Sequence, residues 1–290
     1  MKIALIITAR NKSSRLPNKH MLEVNGKKII EILIERLSDN KNKYPIILAT
    51  TTDKSDDALE KVAKKFNIVC YRGHKLNVKG RVLAAAKKNK IDHIIKIWGD
   101  SPLIDYKIIN KALKKYLIKM PDVLTTNKIQ RLPEGMDFHI YSTKSLEKSL
   151  KLSKKPEDYE HVDQVFFKYP KKFKIIEFVP PKKFFYPGAA LLVDEYNDYL
   201  FIKKLLKKAL NVKKNFKISC EEIIKILKKN PELLQINSQV IRTRIATYNN
   251  ETKPVVSFYK EKFSSMFFEL NGDESIKKIQ SELIKIAKKC

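Results

Sequence analysis

The sequence predicts an α/β fold in which helices cover both faces of a mostly parallel β-sheet. Two observations support this prediction. Short apolar runs of strand length alternate along the chain with segments whose apolar residues recur at helical spacing, and such alternation is typical of helices packed on a parallel sheet. In addition, the first run, at residues 2–8, is largely apolar on both faces, as expected for a strand buried inside such a sheet.

The first predicted strand carries Ile3, Leu5 and Ile7 on one face and Ala4 and Ile6 on the other. The other strands follow from apolar content and from the turn residues around them. The predicted strands are residues 3–8, 45–50, 68–71, 92–97, 122–125, 137–141, 173–179 and 189–193.

Helices are predicted between the strands, from apolar residues that recur every three or four positions. The stripes are clearest in residues 28–37 and 56–66. Beyond Glu195 the chain is strongly helical, with predicted helices over residues 199–210 and 219–227. Ser219 is a good N-cap for the second of these, because acidic residues follow it in the first turn.

Length and composition predict one large domain, residues 1–246, and a C-terminal extension, residues 247–290, of unknown role. The extension carries an aromatic cluster, and either packing on the domain or packing on another subunit would explain it. Three scattered cysteines without metal-ligand spacing fit a reducing compartment. The first apolar run is too short for a signal peptide or a membrane span. We therefore expect a cytoplasmic protein with no membrane partner.

The formal net charge of +28 raises the possibility of a nucleic-acid-binding protein. Only eight of the sixty basic residues are arginine, the residue favoured for base edges and bidentate phosphate contacts. The lysines instead recur as pairs on predicted helical faces, where solvation explains them. We expect no specific nucleic-acid partner, and nucleic-acid binding stays open as an alternative.

A basic loop, residues 9–19, follows the first predicted strand. Such a position is the carboxyl edge of the sheet, where open α/β folds bind ligands. Guanidinium forks clamp phosphate oxygens and a lysine adds a mobile charge, so the loop predicts a polyphosphate ligand. It is not a Walker loop, because no glycine precedes Gly26. The alternative is a solvated basic loop. Its cations and hydroxyls are Arg10, Lys12, Ser13, Ser14, Arg15 and Lys19.

The basic loop resembles the signature Ala-Arg-x-x-Ser-x-Arg-Leu-Pro-x-Lys of the cytidylyltransferases that activate sugars and sugar acids. The resemblance is greatest to the spore-coat polysaccharide branch, with the acylneuraminate and keto-deoxyoctonate enzymes as wider relatives, and it spans roughly residues 3–210. Further segments match in family order: Ala49–Asp53 with Asp56 and Asp57, Tyr71–Gly73 through Arg81, Gly99–Ile104, Pro133–Asp137, Glu160–Val162 and Val193–Glu195.

The resemblance implies a Rossmann-like fold of the nucleotide-diphospho-sugar transferase type. It also implies an enzyme, and a homodimer, that couples CTP to a sugar or sugar acid with Mg²⁺ as cofactor. The products would be a CMP-activated sugar, for surface polysaccharide or glycan biosynthesis, and pyrophosphate. Two alternatives stay open: a nucleotidyltransferase that uses another nucleoside triphosphate or a sugar 1-phosphate, and a non-catalytic or nucleic-acid-binding protein on the same scaffold.

The matched positions imply roles for individual residues. Arg15, Lys19 and Asp100 are predicted to be catalytic, and Asp137, Glu160 and His161 to bind the acceptor. Nucleotide binding is predicted for Ala9, Arg10, Ser13, Ser14, Arg15, Lys19, Thr51, Asp53, Arg72 and Arg81. Simpler readings exist for some of them, since Asp53 also suits a turn and a single histidine is often structural. Trp98 is predicted to pack in the core.

Asp100 and Asp194 are the predicted metal ligands. Each follows a predicted strand, so both can project into one crevice at the carboxyl edge of the sheet. Mg²⁺ suits this pair, because it prefers oxygen ligands and usually takes one or two carboxylates together with phosphate oxygens. The alternatives are a turn residue before Pro102 for Asp100 and a helix N-cap for Asp194.

The sequence departs from the family pattern mainly outside the loop chemistry. Lys12 and Asn18 replace common glycines, and Asn77 and Lys79 replace acids before Arg81. Two further departures, Ala190 and Leu192, precede Asp194. In the family, the regions before Arg81 and Asp194 shape the acceptor side. The resemblance therefore predicts the nucleotide more directly than the acceptor.

Overall fold

The structure is a computed structural model that describes residues 1–38, 44–212 and 215–236. The predicted extension, residues 247–290, lies outside the described residues, and the domain boundary at residue 246 stays a prediction. The strands in the described part of the chain are β1 (Ile3–Thr8), β2 (Glu23–Val24), β3 (Lys27–Lys28), β4 (Ile46–Thr51), β5 (Val69–Gly73), β6 (His93–Trp98), β7 (Val123–Thr125), β8 (His139–Ser142) and β9 (Ile175–Glu177).

Seven of these strands form one sheet in the order β5-β4-β1-β6-β8-β7-β9, and β2 pairs with β3 in a separate hairpin. Strand β1 lies between β4 and β6 and is parallel to both, with Leu5 opposite Ile46 on one side and Ile95 on the other. Only β8 among the seven is antiparallel to its neighbours. The predicted mostly parallel sheet is confirmed.

The helices in the described residues are α1 (Ile29–Ser38), α2 (Asp57–Lys65), α3 (Val78–Lys88), α4 (Tyr106–Lys119), α5 (Thr143–Lys151), α6 (Pro156–Glu160), α7 (Gln164–Lys168), α8 (Tyr196–Val212) and α9 (Cys220–Lys229). Several begin at side-chain caps that satisfy free backbone N–H groups. Asn77, Asp105 and Ser142 cap α3, α4 and α5. Ser219 forms a capping box with Glu222 at the start of α9, which confirms the predicted N-cap.

The two faces of β1 are buried in two separate cores. Ile3, Leu5 and Ile7 pack in a core with apolar residues of α1, α2, α4, α8 and α9. Ala4 and Ile6 pack in the other core with residues of α3, α5 and α7. The predicted division of the strand into two apolar faces, and the helices on both sides of the sheet, are therefore confirmed.

The predicted strand at residues 189–193 is not a strand in the structure. This segment forms a single parallel bridge, between Glu134 and Ala190. Its backbone N–H groups go to two separate partners, because Leu191 donates to the Glu134 carbonyl at 2.6 Å and Val193 donates to the Asp100 carbonyl at 2.8 Å. A continuous ladder needs one partner strand, so the segment crosses between two loops instead.

The sequence analysis did not predict the β2–β3 hairpin. Its turn residues, Asn25 and Gly26, have φ values of 48° and 73°, the left-handed conformation that tight two-residue hairpin turns require. The Asn25-Gly26 pair is the sequence feature that could have predicted this turn. Among the described helices, none is long and apolar enough to cross a lipid bilayer.

The chain order of the strands creates a crevice beside β1. From β1 the chain proceeds to β4 and β5 on one side and then returns to β6 on the other side. The loops that follow β1 and β6 therefore leave the sheet in opposite directions. Ligands of open α/β sheets bind at such a switch point, outside the carboxyl ends of the strands.

Candidate active site

A cleft of about 560 Å³ lies at this switch point. It collects most of the residues that the sequence predicts for the site. Ten further residues line it, among them His20, Lys96, Trp98, His139, Asp163 and Phe167. The predicted residues in its lining are Ala9, Arg10, Ser13, Ser14, Arg15, Lys19, Arg81, Asp100, Glu160, His161 and Asp194.

The basic loop, residues 9–19, is fixed to the sheet through its backbone. The buried Asp56 carboxylate accepts the Asn11 N–H at 2.7 Å and also the Thr51 N–H and hydroxyl at the end of β4. Inside the loop, the Asn11 carbonyl accepts the N–H groups of Ser13 and Asn18, both at 2.9 Å. These hydrogen bonds hold the backbone of the loop in one conformation at the edge of the cleft.

The loop's charged side chains meet the two predicted metal ligands. Lys19 Nζ lies 2.6 Å from Asp100 Oδ2 and 3.2 Å from Asp194 Oδ1. Arg15 Nη1 lies 2.5 Å from the other oxygen of Asp194. The Lys19 side chain is 8% exposed, so its charge is balanced almost entirely by these carboxylates. Burial alone would raise the pKa of Asp100, but Lys19 outweighs it and holds that pKa below the ordinary value.

Backbone contacts explain why Asp100 and Asp194 meet although they are far apart in the sequence. Gly99 N–H donates to the Thr8 carbonyl at 2.9 Å. A Cβ on Gly99 would lie 2.8 Å from both the Thr8 carbonyl oxygen and the Ala9 Cβ, so only glycine allows the strands to approach there. The Asp100 carbonyl in turn accepts the Val193 N–H at 2.8 Å, which places Asp194 beside Asp100.

The two aspartates fit a divalent metal ion. A single ammonium contacts both carboxylates, so one cation can reach both of them. The described residues hold no group of three or more His, Cys, Asp or Glu side chains arranged around a metal position. The protein would therefore supply two carboxylates and leave the other positions to phosphate oxygens and water, which is the usual arrangement for Mg²⁺. Before α8, the Asp198 carboxylate accepts the N–H groups of Asp194 and Glu195, and an N-cap role for the Asp194 side chain stays a prediction.

An ion pair bridges the cleft between the basic loop and α6. Arg10 Nη2 lies 2.9 Å from Glu160 Oε1. Arg81, from α3, lies behind this pair with its guanidinium nearly inaccessible to solvent, and it donates to the His74 carbonyl at 2.8 Å. Burial lowers the pKa of Arg81 to about 10, with Arg10 acting in the same direction. His161 follows Glu160 and is exposed at the rim.

Lys96, His139 and Asp163 form a buried polar group on the inner side of the cleft. Lys96 Nζ lies 3.3 Å from Asp163 Oδ2 and 3.0 Å from the ring centroid of Trp98. Burial lowers the pKa of Lys96 to about 8, although Asp163 acts in the opposite direction. Burial also lowers the pKa of His139, although Asp163, 3.7 Å from its Nε2, acts in the opposite direction, and this shift favours the neutral imidazole. Trp98 is only half-buried and lines the cleft, so the prediction that it packs in the core is corrected.

Four predicted site residues do not line the cleft. Thr51 is buried beneath the basic loop, where it donates to Asp56. Asp53 accepts hydrogen bonds from Lys12 and Ser55 at the end of β4. Their predicted roles in nucleotide binding stay predictions.

Arg72 and Asp137 are the other two. Arg72 is held by the Thr51 and Asp53 carbonyls and by the carboxylates of Asp57 and Glu60. Asp137 is buried away from the cleft, and burial raises its pKa to about 7. Neither residue is part of the cleft lining, and their predicted roles stay predictions.

The site also contains residues that the sequence patterns do not reveal. Asp56 lies in a segment that matches the family, but its hydrogen bond to Asn11 of the basic loop joins residues far apart in the sequence and could not be predicted from it. Lys96 had a usable signal, because it interrupts the apolar strand Ile94–Trp98 and must therefore be buried with its charge. His139 and Asp163 come from distant segments and carried no signal.

A basic loop after the first strand, facing paired aspartates at the switch point of a mostly parallel sheet, is the arrangement that a nucleotidyltransferase needs. The cytidylyltransferase family model matches residues 4–180, and the chain belongs to this family. The chain is also similar to a solved cytidylyltransferase from Leptospira borgpetersenii, with a TM-score of 0.75 and 31% identity over 81% of this chain and 97% of that one.

Three relatives extend the comparison. The uncharacterised protein MJ1063 of Methanocaldococcus jannaschii is 33% identical over 83% of this chain and 96% of its own length. The spore coat polysaccharide biosynthesis protein SpsF of Bacillus subtilis is 26% identical over 79% of this chain and 95% of its own. A 3-deoxy-manno-octulosonate cytidylyltransferase of Francisella philomiragia is 28% identical over 48% of this chain and 55% of its own.

Proposed function

We propose that this enzyme is a Mg²⁺-dependent cytidylyltransferase that transfers CMP from CTP to a sugar or sugar acid and releases pyrophosphate. The observation that carries the proposal is the contact of Lys19 with both Asp100 and Asp194, beside Arg15 in the same cleft. This arrangement places cations for a triphosphate next to carboxylates for a metal ion, as nucleotidyl transfer needs.

In this reaction a hydroxyl oxygen of the acceptor bonds to the α-phosphorus of CTP, and the bond between that phosphorus and the pyrophosphate oxygen breaks. The hydroxyl proton is released to water. Phosphate oxygens would compete with the carboxylates for Arg15 and Lys19, which would orient the triphosphate and neutralise charge on the leaving pyrophosphate. Mg²⁺ held by Asp100 and Asp194 would withdraw charge from phosphate oxygens. Arg10 and the loop hydroxyls would complete the phosphate contacts.

The acceptor class rests on the relatives. Two of them are a spore coat polysaccharide biosynthesis protein and a 3-deoxy-manno-octulosonate cytidylyltransferase. We propose a sugar or sugar acid of this chemical kind, activated for surface polysaccharide or glycan biosynthesis. A homodimer remains a prediction from the family resemblance.

Thermal shifts with CTP, UTP, GTP and ATP, each with Mg²⁺, test the nucleotide, and a pyrophosphate assay with candidate sugar acids tests the reaction. We expect CTP to raise the melting temperature most. We expect Arg15→Ala and Asp100→Ala to stop pyrophosphate release while they retain the fold. Arg131→Ala is the matched control, because Arg131 is ion-paired with Glu177 away from the cleft.

The outcomes separate the open alternatives. A larger shift with another nucleotide would favour the alternative nucleotidyltransferase. Steeply salt-dependent RNA or DNA binding that Arg15→Ala leaves unchanged would favour the nucleic-acid-binding alternative. No shift with any nucleotide would refute the proposal.

A further inference from the structure

The inner wall of the cleft consists of Lys96, Trp98, His139, Asp163 and Phe167, all of which line it. Lys96 in β6 is directly opposite His139 in β8, in the register of the sheet. Asp163 immediately precedes α7, which carries Phe167. Three separate elements thus bring polar and aromatic side chains to one surface.

Three polar side chains of the inner wall are buried at an energetic cost. Lys96, His139 and Asp163 are 2%, 3% and 7% exposed. Burying a charge is unfavourable unless it is paired and fully hydrogen-bonded. Lys96 has one carboxylate partner, Asp163, whereas Nδ1 of His139 has no hydrogen-bond partner. A polar atom without a partner, buried in the lining of a cleft, indicates a position where a ligand completes the hydrogen bonding.

The charges of the inner wall distinguish it from the basic loop. The ammonium of Lys96 and the carboxylate of Asp163 balance each other, and Glu160 on the same side is paired with Arg10. The wall therefore has no excess positive charge for a triphosphate. Its buried polar atoms without a partner include Nδ1 of His139 and Oδ1 of Asp163, and the ammonium of Lys96 has further N–H groups to donate. Donors and acceptors side by side match hydroxyl groups, which both donate and accept hydrogen bonds.

The wall is also adjacent to the reacting centre. Trp98 is two residues before Asp100 in the same strand end, and its ring lies edge-on to His139 at 5.4 Å between centroids. The basic loop approaches Asp100 from the side of β1, and the wall approaches it from the side of β8. A group bound on the wall would face the nucleotide across Asp100.

We infer that the inner wall binds the hydroxyl groups of the acceptor sugar. Lys96 and His139 form the hydrogen bonds, and the rings of Trp98 and Phe167 provide the apolar surface. This inference rests on the proposed function and assigns its acceptor side to residues of this chain. Ligand sites of this kind combine apolar lining with a few polar groups that fix orientation.

Trp98 provides a direct probe, because it is the single tryptophan of the chain. Its fluorescence would be followed while the enzyme, saturated with CTP and Mg²⁺, is titrated with 3-deoxy-manno-octulosonate, N-acetylneuraminate, glucuronate and glucose. We expect a saturable change with at least one of them. In Lys96→Met the midpoint for that ligand should rise by about tenfold or more, because a hydrogen bond from a charged group is lost. The affinity for CTP should stay unchanged.

Two further variants protect the test against misfolding. His139→Phe keeps a ring beside Trp98 and leaves the Lys96–Asp163 pair intact, and it should also raise the midpoint. Tyr116→Phe is the control, since Tyr116 is also fully buried, is hydrogen-bonded to His93 Nδ1 at 2.9 Å and does not line the cleft. It should leave the midpoint unchanged.

The other possible outcomes would contradict either this inference or the proposed function. If CTP binds but none of the four compounds changes the fluorescence, or if Lys96→Met and His139→Phe leave the midpoint unchanged, the inference is wrong. If the two variants weaken CTP instead, the wall belongs to the nucleotide, and the inference is overturned while the proposed function stands. If the wild-type enzyme binds no nucleotide, the proposed function fails and this inference fails with it.

Discussion

Two buried lysines face the cleft from opposite sides and are held differently. Lys19 Nζ lies 2.6 Å from Asp100 and 3.2 Å from Asp194. Lys96 Nζ has a single carboxylate, Asp163, at 3.3 Å and otherwise faces the ring of Trp98. Both lysines are buried, so burial alone does not explain the difference between them.

The difference shows what each side can exchange with a ligand. On the side of the basic loop, a metal ion can take over the carboxylates while phosphates take over the cations, so every charge has a new partner in the complex. On the inner wall the two charges already balance each other, and only hydrogen bonds are left to offer. The first side suits an anionic donor with its metal, and the second suits a hydroxyl-bearing acceptor.

The largest expected effect comes from removing the ammonium at the reacting centre. Lys19→Met should lower kcat for pyrophosphate release by about 100- to 1000-fold, since a preorganised charge that stabilises the transition state is lost. Lys96→Met should instead raise KM for the acceptor. Steady-state kinetics with both substrates varied, after circular dichroism has established folding, make the comparison. A Lys19→Met enzyme with unchanged kcat would contradict the division between the two sides.

Asp137 tests whether a predicted acceptor residue belongs to the cleft. Burial raises the pKa of Asp137 to about 7 from its ordinary value of 3.8, and Glu134 acts in the same direction. Between pH 4 and pH 7 the folded state therefore keeps a proton that the unfolded state releases. Because of this group, the free energy of unfolding of the protein falls as the pH rises from about 4 to about 7. Asp137→Asn should abolish that loss, worth as much as about 4 kcal/mol.

Urea unfolding of wild type and Asp137→Asn between pH 4 and pH 8 measures this difference. The gap in unfolding free energy should grow in favour of the variant as the pH increases. Parallel curves would show that the carboxyl ionises at its ordinary pKa in the folded protein. A raised acceptor KM without a change in the pH profile would restore Asp137 to the acceptor side.

Asp56 has a smaller expected effect, because it acts through the basic loop rather than on a ligand. Its carboxylate accepts the Asn11 N–H at 2.7 Å, so Asp56→Asn should loosen the loop and raise Kd for CTP by roughly tenfold, as changes behind a binding residue commonly do. Asp105→Asn is the control, because Asp105 is also buried and accepts backbone N–H groups of Lys107 and Cys220 at 2.8 Å. Calorimetric titration should show weaker CTP binding in the first variant alone.

The fold was largely predictable from local patterns. Alternating apolar runs and helical stripes depend on neighbouring residues, and strands such as β1 and helices such as α1 lie where those patterns place them. The segment 189–193 was mistaken for a strand because its apolar character is real, whereas its hydrogen-bond partners, Glu134 and Asp100, come from other parts of the chain. Apolar content alone does not reveal whether a buried segment has a partner strand.

The site divides in the same way. The basic loop and Asp100 stand at strand ends, and a motif with fixed spacing can identify them. The inner wall depends on the pairing of β6 with β8, which brings His139 beside Lys96, and on the position of Asp163 before α7. No local pattern in the sequence predicts that Lys96, His139 and Asp163 lie next to one another. Trp98 was placed in the core for the same reason, since the cleft beside it is formed by distant residues.

The smallest expected effect separates two cations within the basic loop itself. Arg15 and Lys12 have similarly exposed side chains, 59% and 57%, and each is paired with an aspartate. Only Arg15 lines the cleft, whereas Lys12 pairs with Asp53 on the outer side. An exposed pair of this kind contributes little energy, so Lys12→Ala should change Kd for CTP by less than about threefold at physiological salt. Arg15→Ala, measured in parallel by calorimetry, should weaken CTP far more, and equal losses in the two variants would show that the loop attracts the nucleotide by its net charge rather than by the position of its side chains.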